Sequence, residues 1–107
     1  MKLIFAIVND DDAARVLSVL NRAGFGATKL ATTGGYLKSG NTTFISGVED
    51  EQVDQAISLI GQNARKRTQL IHDTTSMGSV NTMSMPLEIQ VGGATVFVLN
   101  VERFEKL

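Results

Sequence analysis

A chain of 107 residues has room for one domain, since domains run to roughly 100–150 residues. It has no cysteine, which excludes disulfides, thiol catalysis and thiolate metal sites. A formal net charge of −1 and a pI near 5.7 supply no basic field for nucleic-acid polymers or anionic membranes, so a small molecule or a protein is the expected partner. Hydrophobic residues make up 43% and there is one proline, the composition of an ordered globular protein.

Leu3 to Val8, Leu-Ile-Phe-Ala-Ile-Val, is apolar at both parities and reads as a strand buried on both faces. The run is too short for a signal-peptide core or a membrane span, and a cytoplasmic location without membrane insertion is expected. Asp10 or Asp11 is expected to cap a helix with Ala13, Val16, Leu17 and Leu20 on one face, and Gly24 to end it. Strands follow at Gly26–Thr33 and Asn41–Gly47. A shift of 40 positions lays Val8–Leu20 over Val48–Ile60, so that the same apolar face returns as Val53, Ala56, Ile57 and Ile60, with Asp50 at the position of Asp10. Two strand-helix units in succession give a ferredoxin-like split βαβ plan (βαββαβ) of the α+β class, an antiparallel sheet with two helices on one face.

The second helix is expected to reach about Arg65 or Lys66. After Thr68–Ile71 comes a polar stretch, His72 to Ser84, without helical or strand period, read as an enlarged loop before the last strands. Leu87–Val91 alternates as a strand, Gly92-Gly93 is expected to form a tight turn, and Thr95–Val101 is the last strand. Two helices cover one face of such a sheet, yet the first and last strands are apolar on both. A homo-oligomer meeting through its sheets is therefore expected, because large apolar side chains left wet forgo about 1.5–3 kcal/mol each.

Enzyme chemistry finds little support. His72 is the lone histidine, without partners for a triad or a transition metal, and Asp10, Asp11 and Asp12 match no calcium-loop spacing and read as a solvated helix start. Gly24-Phe-Gly26 follows a helix and opens a strand, the reverse of a dinucleotide-binding loop. No cofactor, metal site or catalytic residue is expected. Ala27–Phe44 is denser in hydroxyls and glycines than a plain hairpin needs, and glycine lets backbone approach a ligand. At its tip, Tyr36 offers a platform for a planar base or a subunit contact, while Arg22, Lys29 and Lys38 could oppose phosphates. Met77, Met83 and Met85 in the large loop suit docking onto a ligand or partner.

Two segments, Ala-Thr-Lys-Leu-Ala-Thr-Thr-Gly-Gly-Tyr-Leu-Lys-Ser-Gly-Asn-Thr-Thr-Phe (27–44) and Val-Gly-Gly-Ala-Thr-Val-Phe-Val-Leu (91–99), resemble the signature segments of the PII-like cyclic di-AMP receptors, and the likeness spans nearly the whole chain. It implies a single PII-like domain over 1–107, with a short T-loop at about 34–40 and a large B-loop at about 72–86. It also implies a homotrimer with one cyclic dinucleotide in each intersubunit cleft, non-enzymatic signalling through loop ordering, and a downstream protein that the sequence does not name. Thr28 and Asn41 would bond the ligand, backbone around Gly35, Tyr36 and Leu37 would hold it, and Gly47 and Gly92 would line the pocket by being small. Gly24 and Gly26 stand where the family has Asn and Arg, so one cation is missing, and charge-assisted bonds of that kind are worth about 1.5–3 kcal/mol. The loop also lacks the family's aromatics. The alternatives are a PII-like sensor of another nucleotide or anion, a ligand-free oligomeric adaptor, and a small acylphosphatase-like enzyme.

Overall fold

The computed structural model describes residues 1–33, 40–71 and 87–107. The strands are β1 (Lys2–Asn9), β2 (Ala27–Thr33), β3 (Asn41–Val48), β4 (Arg67–Ile71), β5 (Leu87–Val91) and β6 (Ala94–Asn100). The helices are α1 (Asp10–Arg22) and α2 (Val53–Asn63), the latter preceded by a single 3₁₀ turn, Asp50–Gln52. Four strands form one antiparallel sheet in the order β2-β3-β1-β6, while β4 and β5 pair with each other as a separate antiparallel ribbon. This is the split βαβ arrangement expected, with β6 as the closing strand and the ribbon inserted before it.

The core lies between the sheet and the two helices. Ile4, Ala6 and Val8 of β1 and Phe44 and Val48 of β3 meet Ala13, Val16 and Leu20 of α1 and Ala56 and Ile60 of α2, all buried. Alternate side chains of β1, Leu3, Phe5 and Ile7, point to the opposite face and are only half-buried. Their partners on β6, Leu99 and Phe97, are 48% and 54% exposed. The two-faced reading of these strands therefore holds, and within one chain the second face is open. In α2 the apolar stripe is rotated from the one expected, since Ile57 is 36% exposed and Leu59 packs against the core instead.

Several local expectations are corrected. The α1 cap is Asn9, not Asp10 or Asp11: Asn9 is extended (φ −65°, ψ 143°) and its side-chain oxygen accepts from the Asp11 N–H at 2.8 Å. Forty residues on, Glu49 takes the equivalent conformation (φ −74°, ψ 156°) and forms a capping box with Gln52. The repeat is thus real in backbone geometry, with both caps one residue before the aspartates. Asp12 is not solvated but wholly buried, held by Arg15 at 2.6 Å and Arg67 at 3.2 Å. α2 stops at Asn63 rather than at Arg65 or Lys66; Arg15 donates to the Asn63 carbonyl at 3.1 Å, satisfying a helix-end acceptor that a further turn would otherwise use. Finally, Gly92 and Gly93 do not close a hairpin between β5 and β6. They carry the chain from one sheet to the other, both at positive φ (86° and 80°).

Candidate functional site

The start of β3 is clamped by α1. Gly40 accepts from the Asp10 N–H at 2.9 Å, and the Thr42 hydroxyl donates to the Asp10 carboxylate at 2.6 Å. Asn41, between them, is fixed at the sheet end opposite Asn9 and Thr33. It borders a cavity of about 260 Å³ whose other walls include Ile7 and its cross-strand partner Thr95, the turn Gly92-Gly93, and Lys66. Nothing local marks Asp10 as the clamp, because its partners Gly40 and Thr42 lie 30 and 32 residues away.

Gly92 borders this cavity, but its lack of a side chain has a structural cause. A Cβ there would strike the Arg65 carbonyl and sit 2.7 Å from the Arg67 guanidinium, and φ of +86° disfavours any other residue. Arg67 in turn reaches the buried Asp12, so the base of the β4–β5 ribbon is tied to the first turn of α1. The wall containing Gly92 is thereby joined to the body of the domain through Arg67.

Thr28 and Gly47 lie elsewhere. Thr28 faces Ile45 across the β2–β3 ladder, so Gly47 is its diagonal neighbour on the same open face. That end is held by the α1 terminus: Gly24 (φ 89°) follows the C-cap, its N–H bonds the Asn21 carbonyl, and Phe25 N–H bonds the Leu20 carbonyl, the paired bonds of a Schellman motif. Phe25 is buried as the hydrophobic contact of that motif, and Ser46 donates to its carbonyl at 2.8 Å. Gly24 thus ends the helix as expected. From Asn41 to Gly47 is six residues of strand, about 20 Å at roughly 3.4 Å per residue. Of the site residues expected from sequence, Asn41 and Gly92 come together at one end of the open face, Thr28 and Gly47 at the other.

Gly35, Tyr36 and Leu37, with Lys38, lie outside the described residues, as do the T-loop reading apart from Gly40 and the whole B-loop reading at 72–86, with His72 and the loop methionines. Lys29 turns to the helix side of the sheet, where it borders a shallow cavity with Leu17 and Asp10, and Arg22 donates to Ser18 along α1. Neither shares a face with Thr28. Among the described residues no group of three or more His, Cys, Asp or Glu is placed to hold a metal, and no helix is long and apolar enough to cross a membrane.

Comparisons with known proteins bear on the family and the fold. The family model described as cyclic-di-AMP receptor matches residues 1–107. A crystal structure of a functionally unknown protein from Pediococcus pentosaceus ATCC 25745 is 40% identical, covering 99% of this chain and 96% of that one, with a TM-score of 0.74. The PII protein of Arabidopsis thaliana, solved bound to citrate, shares the fold at 24% identity, covering 94% of this chain and 73% of that one, with a TM-score of 0.55.

Proposed function

The chain belongs to the cyclic-di-AMP receptor family, and on that footing we propose that it is a cytoplasmic, non-enzymatic sensor that binds cyclic di-AMP between the subunits of a homotrimer. Occupancy is passed to a protein partner through the segments 34–40 and 72–86. No cofactor takes part.

The observation that carries the reading is the division of the site. Thr28, paired with Ile45, stands about 14 Å along the strand from Asn41, and Gly47 about 20 Å, on one open, largely apolar face. Within one chain the two groups stand apart along the strand and do not close on each other. Two copies packed by their sheets can set the Thr28 end of one against the Asn41 end of the next. At about 260 Å³ the cavity also falls below the roughly 300–1,000 Å³ usual for small-molecule sites, as one half of a cleft should. Packing of this kind covers Phe97 and Leu99, whose exposure is otherwise unfavourable.

Calorimetric titration with cyclic di-AMP, against cyclic di-GMP, ATP and buffer, tests the ligand, and sedimentation of the same sample tests the assembly. Saturable heat with cyclic di-AMP alone and a trimer mass support the proposal. No heat at near-millimolar cyclic di-AMP refutes the ligand, and a stable monomer at micromolar concentration refutes the cleft. The side-chain-free Gly26, exposed at the Thr28 end with nothing within 4 Å of an added Cβ, favours one second reading, a sensor of a different nucleotide or anion. Heat with ATP and none with cyclic di-AMP would establish it.

A further inference from the structure

Lys66 is the one cationic side chain among the described residues bordering the cavity of Asn41 and Gly92, and no carboxylate is among them. α2 ends at Asn63, which leaves Lys66 in the extended link to β4 rather than on a helix face. Its aliphatic stem lies across the turn: a Cβ on Gly93 would meet Lys66 Cγ at 2.9 Å, Cε at 3.5 Å and Cδ at 3.8 Å. A glycine at 93 therefore makes the groove in which the lysine rests on its way to the cavity. The neighbouring cations are otherwise placed. Arg67 is engaged with Asp12 and the Arg65 carbonyl, and the Arg65 side chain is not part of the cavity wall. Among the described residues no ion pair takes up Lys66.

We propose that Lys66 is a ligand-binding residue, pairing its ammonium with a phosphate of the bound nucleotide at the Asn41–Gly92 end of the cleft. The assignment rests on the reading that the cleft takes a cyclic dinucleotide. An ammonium on a flexible stem suits a phosphate as a point charge, whereas the neutral Asn41 amide and Thr95 hydroxyl supply hydrogen bonds without net charge. With neutral walls and no ion pair to Lys66 among the described residues, the cation raises the positive potential that an anion entering the cavity meets.

The test titrates the full-length chain with cyclic di-AMP as wild type, Lys66→Ala, Lys66→Gln and Arg65→Ala, at low and high ionic strength. Both Lys66 variants should lose about tenfold or more in affinity, as for loss of a charge-assisted bond, while Arg65→Ala stays within about twofold. The gap between wild type and Lys66→Gln should narrow at high salt, because the lost term is screened. If wild type binds and Lys66→Gln binds equally well, or Arg65→Ala loses as much, the lysine assignment is overturned and the functional reading stands. If wild type gives no heat, the functional reading fails and this assignment falls with it. Lys66 is exposed, so unaltered melting curves of the variants are expected and would exclude misfolding as the cause.

Discussion

The buried carboxylate of Asp12 allows a sharp test of how the ribbon is fastened to the domain. Asp12 is fully buried, while its two partners, Arg15 and Arg67, keep side chains 55% and 41% exposed. That difference makes the ion cluster asymmetric. Asp12→Ala releases two guanidiniums that water already reaches, so it forfeits two weak pairs and a negative charge at the start of α1, together about 2 kcal/mol. Arg15→Ala/Arg67→Ala instead strands an ionised group in the core, which costs about 3–5 kcal/mol. Arg15→Ala also strips donors from the Asn63 carbonyl, so the double variant alone leaves the cause mixed. The triple variant, with Asp12→Ala added, separates the two. If stranding dominates, removing Asp12 from the double-arginine background restores at least about 1 kcal/mol. Urea midpoints with unchanged slope, at one fixed protein concentration, read the differences directly. A triple variant no more stable than the double one refutes the reasoning.

Other expectations follow from the same geometry. Gly92→Ala drives a Cβ into the Arg65 carbonyl at φ +86° and should cost about 3 kcal/mol in a denaturant melt. Gly47→Ala meets nothing within 4 Å and should leave stability within about 0.5 kcal/mol, yet reduce affinity for cyclic di-AMP in calorimetry if that surface lines the cleft. The N-terminal amine hydrogen-bonds Asp50 at 3.0 Å and holds its carboxyl below the ordinary value of 3.8. A lowered folded-state pKa contributes stability above the unfolded value that is lost as pH falls through the folded one. Wild type should therefore exceed Asp50→Asn slightly at pH 6, and the gap should close below pH 3.8 when urea midpoints are compared. Phe97→Glu puts a charge on the open face and, if that face forms the proposed trimer, should shift the sedimenting species to monomer, with far-ultraviolet circular dichroism unchanged.

Periodicity carried the fold because the relevant patterns are local. The unbroken apolar run of β1 and the 3.6-residue stripe of α1 each sit within a short window, and with the 40-residue repeat they imply the split βαβ plan that the sheet shows. The failures are equally physical. Asn9 and Asp10 are both good caps by composition, and only the extended backbone at Asn9 decides between them. Gly92-Gly93 has the look of a two-residue hairpin, but β1 offers a free edge along which β6 pairs from Ala94 to Asn100, and β4 takes β5. Asp12 resembles its solvated neighbours until Arg67, 55 residues later in the chain, arrives beside it.

For the candidate site the sequence offers residue types and no arrangement. Ala27–Phe44 resembles one family's signature, yet nothing in it says that Thr28 and Asn41 lie at opposite ends of a face; that follows from pairing Thr28 with Ile45 and Asn41 with Asn9. Lys66 was hidden for a related reason. A helix continued to residue 66 would direct that side chain according to helical rotation, away from the link to β4. The helix instead ends where Arg15 meets the Asn63 carbonyl, and Arg15 is also a partner of Asp12. Arg15 thus joins the buried ion cluster to the last residue of α2, and the link that follows carries Lys66 to the cavity wall. The one charge that the cavity presents among its described residues therefore lies on a link whose course no local window reveals, since it follows from where α2 ends and β4 pairs.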